Sequence, residues 1–331
     1  MPLESEIIDR LRKRGRTDPR VRIGIGDDAA VIETGGSTDL IVCCDLLVEG
    51  VHFRSEWTPP TLLGRKSLAV SLSDVAAMGG TPRFATTSIA LPAWCTSEFV
   101  DQFFEGLFEL AEDIGVSIIG GDTSCSRDSL FIDVSVIGEC ARGKAVGRRG
   151  ARSGDRVFVS GSLGGSALGL LLFQDGFRLS DADSQDPMRI PASRHLSPEP
   201  RLALGREIGS LSLASSMIDI SDGLSTDLWH ILDESKVGAR IRAASIPIGQ
   251  STVSIARERG IDAIELALNS GEEYELLFTV DSSNVELVKR LAESLGETVT
   301  EIGFVVESGG LQLERDNSVR AIEPRGYQHV I

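Results

Sequence analysis

The chain has 331 residues, 41% of them hydrophobic, which is enough for two globular domains each with its own core. Asp and Glu number 49 against 33 Lys and Arg, a formal charge of -16 that argues against a polyanionic partner such as duplex nucleic acid. The densest basic run, "RLRKRGR" at 10–16, reads as the solvated face of an opening helix and does not offset that charge.

Apolar periodicity orders the first half of the chain. "SEIIDRLRKR" predicts a helix, "DLIVCCD" a buried strand, and "PTLLGRKSLAVSLSDVAAMG" a long helix stopped by Gly79 and Gly80. There follow "FATTSIALP" as strand, "SEFVDQFFEGLFELAEDIG" as amphipathic helix, "SIIGGD" as a short strand and "LFIDVSVIGEC" as an alternating strand. Strands alternating with helices predict an α/β chain with α+β layering rather than a bundle.

The polar stretch "ARGKAVGRRGARSGD" sets a soft boundary near residue 150, giving expected domains at 1–150 and 151–331. Beyond it, "RVFVSG", "SMIDIS", "ARIRAASI", "YELLFTV", "VTEIGFVV" and "LQLER" read as strands. "SALGLLLF", "EPRLALGREIG", "TDLWHILDES" and "SNVELVKRLAESLG" read as helices, and the proline-rich "DSQDPMRIPASRHLSPEP" as an ordered loop or linker. No signal-length apolar segment opens the chain, and no window approaches the roughly 20 apolar residues of a membrane helix, so a cytoplasmic protein with no membrane partner is expected. Five cysteines (Cys43, Cys44, Cys95, Cys125, Cys140) without a CxxC pair predict reduced, mostly buried thiols.

Carboxylates recur beside glycines or at strand ends, in "GIGDDAA", "CCDLLVEG", "LSDVAAMGG", "IIGGDTS", "IDISDGLSTD" and "SGEEYEL". Asp beside Gly is ordinary turn chemistry, but this recurrence asks for more. Asp74 sits one turn from Val70, Ser71, Ala77 and Met78, a small and apolar setting in which a carboxylate needs a cation or several donors. If these groups face a phosphate, like charges about 4 Å apart repel by about 4 kcal/mol at an effective dielectric near 20. Divalent cations between them reverse the sign, and hard oxygen ligands suit Mg²⁺. His195, His230 and His329 show no metal-ligand spacing, which argues against zinc. A P-loop is absent, and "GIGDD" does not extend to G-x-G-x-x-G.

The blocks "GIGDDAAV", "CDLLVEGVHF", "KSLAVSLSDVAAMGGTP", "IIGGDTS", "IDISDGLSTDL" and "SGEEYELLFT", in this order, resemble the thiamine-monophosphate kinase family. That family belongs to the larger group containing aminoimidazole ribonucleotide synthetase and selenophosphate synthetase, and the resemblance runs from about residue 3 to "RGYQH". It implies a two-domain α/β fold like that of aminoimidazole ribonucleotide synthetase, with the N-terminal sheets of a homodimer closing into a barrel. It also implies ATP-dependent phosphorylation of thiamine monophosphate to thiamine diphosphate with several Mg²⁺ ions.

Carried over by motif, Asp28, Asp45, Asp74, Asp122, Asp219 and Asp222 are implied metal ligands. The family's Ser-Thr before the strand-end Asp is replaced by Cys43 and Cys44, where a thiol is a poor ligand for a hard cation and only backbone oxygen could serve. Gly121, Asp122, Ser221 and Arg148, or Arg149 beside it, are implied ATP contacts; His52, Glu272 and Tyr327 are implied acceptor contacts. No general acid or base is implied, because a phosphate oxygen is already largely ionised near neutral pH. On fold alone an aminoimidazole ribonucleotide synthetase-like enzyme is the alternative, followed by a non-catalytic nucleotide or metal sensor. The reactive cysteines expected of selenophosphate synthetase or a hydrogenase-maturation relative are not found, since none precedes Cys43 and the chain ends "YQHVI".

Overall fold

Buried residues alternate with more exposed ones along "TDLIVCCDLLV" and "FIDVSVIGECA", and these two strands lie side by side in the middle of the first sheet. The computed structural model describes residues 4–14, 18–180 and 182–329. The first sheet contains β1 (Val21–Ile23), β2 (Ala30–Glu33), β3 (Thr38–Val48), β4 (Thr81–Leu91), β5 (Ser117–Cys125) and β6 (Phe131–Ala141), in the order β1-β2-β3-β6-β4-β5. Only β4 and β5 pair in parallel. Helix α1 (Glu4–Arg14) precedes the sheet. Helix α2 (Pro60–Ala77) packs on β3 and β6, and α3 (Ser97–Ile114) packs on α2.

Proline at the start of α2 costs no hydrogen bond, because the first turn has no intrahelical acceptor for that N–H. The helix is apolar or small on all sides and buried around its circumference, as it also meets elements of the second half. In α3 the Thr96 side chain accepts from Phe99 N–H (3.2 Å), and Gly115 ends the helix in the left-handed conformation.

The second sheet contains β7 (Arg156–Ser160), β8 (Ala214–Asp219), β9 (Gly238–Arg242), β10 (Leu276–Val280), β11 (Val299–Val306), β12 (Leu311–Arg315) and β13 (Ser318–Ala321). Its order is β13-β12-β9-β11-β7-β10-β8, with β9 and β12 parallel. Around it lie α4 (Gly165–Gln174), α5 (Arg189–Leu196), α6 (Leu202–Ser210), α7 (Leu224–Ser235), α8 (Gln250–Glu258), α9 (Ala263–Asn269) and α10 (Val285–Ser294). Ala76 and Ala77 of α2 share a core with Phe158, Met217 and Phe278, so α2 joins the two sheets through apolar burial. The connector 142–155 is bonded to both halves: Val146 N–H donates to Met78 O and Met217 N–H to Gly147 O, each at 3.1 Å.

The layered two-sheet architecture agrees with the α/β expectation, but the implied barrel does not form. β1 pairs only with β2 and β5 only with β4, so the first sheet is open with two edges, and closure would need a ladder that is absent among the described residues. The proline-rich stretch read as a loop holds α5; Pro191 falls in its first turn, where proline is tolerated. The strand read over "ARIRAASI" stops at Arg242 and gives way to a 3₁₀ turn at Ala243–Ser245. All five thiols are free, but only Cys43 and Cys140 are buried, while Cys44 and Cys125 are exposed. No helix among the described residues is long and apolar enough to cross a membrane.

Candidate active site

Five carboxylates converge from four separate segments. Gly26, at φ +104°, turns the chain so that Asp27 and Asp28 precede β2; Asp45 comes from β3, Asp74 from α2, and Asp219 from the end of β8. Asp28, Asp74 and Asp219 each offer one oxygen such that the three atoms lie within 4.8 Å of one another. Ser73 Oγ donates to Asp219 Oδ2 at 2.6 Å, and Arg148 binds Asp28 through Nε at 3.1 Å and through Nη2. Asp28 Oδ2 and Asp45 Oδ2 are buried without a partner among the described residues. Burial, then the charge of Asp28, pushes Asp219 up to about 8; burial, then the charge of Asp45, lifts Asp74 well above the carboxylate range. Uncompensated carboxylates of this kind are costly, and the cluster with its orphaned oxygens fits a hard divalent cation bound by oxygen.

Asp27 has a role that its motif does not reveal. Its carboxylate accepts the backbone N–H of Asp28 (3.1 Å) and of Arg148 (3.2 Å), which fastens the glycine turn to the connector. Burial and the charge of Asp28 raise it to about 6. A second group, Asp222, Asp227 and His230, also has ligand atoms within 4.8 Å of one another. Asp227 Oδ2 accepts N–H from Gly223 (2.9 Å) and Asp222 (3.2 Å) at the start of α7. Asp227 and His230 stand three apart on that helix, one turn after "SDG", a spacing that could have been read as one face.

The other end of the cleft is built on Glu272. Its N–H donates to Ser221 O at 2.7 Å, and its backbone has φ +61°, a conformation uncommon outside glycine. Lys66 Nζ lies 2.9 Å from Glu272 Oε1, and His195 Nδ1 lies 3.3 Å from Oε2. Burial pushes the Glu272 carboxyl up, but the Lys66 charge and then His195 hold it below the ordinary range. Burial, then Lys66, lowers His195 to about 4, so its ring is neutral at pH 7. Lys66 and His195 were missed in the sequence; a lysine inside the apolar run "LLGRKSLAVSL" was the available signal.

Between these ends lies a cleft of about 560 Å³. It is lined by Asp28, Asp45, Asp74, Arg148, Asp219, Ser221, Asp222, His52, Glu272 and Tyr327, so ten of the residues singled out in the sequence meet there. His52 Nδ1 accepts Val48 N–H at 3.0 Å, and Tyr327 N–H donates to Asp222 O at 3.0 Å, which draws the C-terminal segment over the cleft.

Four residues are not brought in. Cys43 is buried and donates its Sγ–H to Ser71 O (3.3 Å), while Cys44 is exposed, and neither lines the cleft. Gly121 and Asp122 are exposed on β5, outside the lining. Asp45 faces Val134, Val134 faces Thr87 and Thr87 faces Gly121, so Gly121 is three strand spacings, about 14 Å, from Asp45. Gly121 also has a packing reason to be glycine, since a Cβ there would overlap the carbonyl oxygen of Thr87.

Residues 26–140 match the family model "AIR synthase related protein, N-terminal domain", and residues 152–316 match "AIR synthase related protein, C-terminal domain". The chain is 37% identical to the thiamine-monophosphate kinase of Escherichia coli (strain K12), covering 99% of this chain and 97% of that one. It is 35% identical to the one from Bacillus subtilis (strain 168), covering 98% and 99%. Among solved structures, AaThiL complexed with AMPPCP and TMP superposes with a TM-score of 0.86 at 34% identity, covering 99% of this chain and 97% of that one. The thiamine-monophosphate kinase of Stenotrophomonas maltophilia K279a superposes with a TM-score of 0.79 at 36% identity, covering 95% and 98%. With near-complete coverage at this identity, and with the acidic cleft in the same chain, the protein belongs to the thiamine-monophosphate kinase family.

Proposed function

We propose that the chain catalyses ATP-dependent phosphorylation of thiamine monophosphate to thiamine diphosphate. The observation that carries this reading is one cleft holding a buried carboxylate cluster at one end and Glu272 at the other, in a chain similar throughout to a protein solved with AMPPCP and TMP. Asp28, Asp45, Asp74, Asp219 and Asp222 would hold Mg²⁺, which supplies neutralisation of the phosphate charge when bound.

The chain's own residues bind and orient. Arg148 and Ser221 face the nucleotide, with Arg148 contributing a fixed positive charge that never titrates in this range. His52, Glu272 and Tyr327 line the acceptor end, where the phosphate of thiamine monophosphate attacks the γ-phosphorus of ATP in line and ADP leaves. No residue is assigned as general base, because the attacking oxygen is already ionised. Two domains, 1–150 and 151–331, and a homodimer belong to the same proposal. Gly121 and Asp122, lying outside the cleft of their own chain, enter it as ATP and metal contacts only through a second copy. Cys43 and Cys44 are not retained as side-chain ligands, since one is enclosed in the core and the other turned to solvent.

The test is product formation from ATP, Mg²⁺ and thiamine monophosphate, with thiamine as the control acceptor. Thiamine diphosphate and ADP in equal amounts are expected. ADP released only with thiamine, or ATP bound with no turnover, would overturn the reading.

A further inference from the structure

Lys66 is a charged residue inside the most enclosed helix of the molecule. Its side chain is 1% exposed, so its ammonium must be held or it would cost several kcal/mol. The Nζ reaches Glu272 Oε1 at 2.9 Å and donates to the carbonyl oxygen of His195 at 3.0 Å. His195 itself faces Glu272 Oε2 at 3.3 Å through Nδ1, and that nitrogen lies 3.1 Å from Ser166 Oγ. Helices α2 and α5 therefore grip the Glu272 carboxylate, with Ser166 of α4 against the His195 ring, while the Glu272 side chain stays 25% exposed at the cleft. A carboxylate has about four lone-pair sites, so two contacts from behind leave acceptor capacity on the open side. The left-handed backbone at Glu272 is a strained conformation for a non-glycine residue and persists where surrounding bonds over-determine it.

We propose that Lys66 is a positioning residue for the acceptor: from α2 it fixes the Glu272 carboxylate at the cleft wall in the orientation that receives the amino-bearing or cationic ring of the acceptor. This rests on the assignment of Glu272 to the acceptor end. A carboxylate that must first be ordered binds its partner less well, so the loss falls on acceptor affinity and not on the nucleotide.

A double-mutant cycle on the full chain tests it. Lys66→Met and Glu272→Gln should each raise KM for thiamine monophosphate about tenfold while KM for ATP moves less than about twofold. Combining them should add nothing to Glu272→Gln, because Lys66 acts through Glu272. An additive double variant, or equal losses toward ATP and acceptor, would show a merely structural lysine and overturn the proposal. If Lys66→Met alone does not fold, the double variant, which removes both charges together, is compared with Glu272→Gln: equal KM values support the proposal and a further about tenfold rise refutes it. A Glu272→Gln variant with unaltered KM overturns the acceptor assignment itself, whereas an effect of Glu272→Gln with none from Lys66→Met removes only Lys66.

Discussion

Arg148 binds both carboxylates of the opening turn: its Nε and Nη2 meet Asp28, and its backbone N–H donates to Asp27 at 3.2 Å. Its charge opposes the upward shift at Asp28, Asp74, Asp219 and Asp227, which makes it the electrostatic counterweight of the whole cluster. Arg149 is exposed beside it. Arg148→Ala should therefore lower kcat/KM for ATP about a hundredfold, and Arg149→Ala should change it less than about threefold. Steady-state kinetics with varied ATP decides between the two arginines, and a larger loss for Arg149→Ala would reverse the assignment.

Asp74 makes no ion pair among the described residues, and its upward shift follows from burial and then from the neighbouring Asp45 and Asp219. Asp74→Asn is isosteric and removes a group whose ionised form its surroundings oppose, so the melting temperature without divalent cations should not fall. Turnover should drop by about a hundredfold or more, because neutralisation of the phosphates is the main demand of such a reaction. The rise in melting temperature on adding Mg²⁺ should also shrink, since a ligand stabilises only in proportion to its binding. Near-normal turnover at saturating Mg²⁺ would remove Asp74 from the cation site.

Legibility in the sequence followed length and periodicity. β3 carries a long apolar run, and β6 and α3 carry long patterns of period 2 and 3.6, so all three were read directly, whereas β1 with three residues and β2 with four are too short to show one. Helix α5 was hidden by Pro191 within it and by the prolines that flank it, and the barrel came from resemblance rather than from any feature of β1 or β5. The carboxylates of the cleft were legible because each sits beside a glycine, in or just after an apolar strand, or within an apolar helix. The groups behind Glu272 were not, because Lys66 and His195 meet it, and Ser166 meets His195, only through the packing of α2, α4 and α5. Asp122 shows the converse: a motif made it a candidate, and the sheet register carries it three strands away from Asp45.

His195 gives a pH signature. Burial and then Lys66 depress it to about 4, against an ordinary value near 6.5. The unfolded chain thus takes up a proton below about pH 6.5 that the native chain refuses until about pH 4. Stability is full above that window and falls as pH drops through it, by at most about 1.4 kcal/mol per pH unit. The acidic cluster has raised values and pulls in the opposite direction, so the comparison must be between proteins. Urea midpoints measured from pH 7 to 4.5 should fall more steeply for the native chain than for His195→Asn. Parallel curves would show that His195 is protonated in the folded state.

Gly271 holds the turn that brings Glu272 to the cleft. A Cβ there would overlap the carbonyl oxygen of Ser221 and come within 3.0 Å of the Asp222 carbonyl carbon, both backbone atoms with no rotamer to escape by. The same Ser221 oxygen accepts the Glu272 N–H at 2.7 Å, so the methyl group of Gly271→Ala would push apart the segments that carry the proposed nucleotide and acceptor contacts. Overpacking of this kind costs about 1–3 kcal/mol, which in a chain of this size lowers the melting temperature by a few degrees. KM should rise for ATP and acceptor together, unlike the acceptor-only effect expected at Lys66. Differential scanning fluorimetry with steady-state kinetics reads both, and an Ala variant with unchanged melting temperature and KM values would show that the turn is free to move.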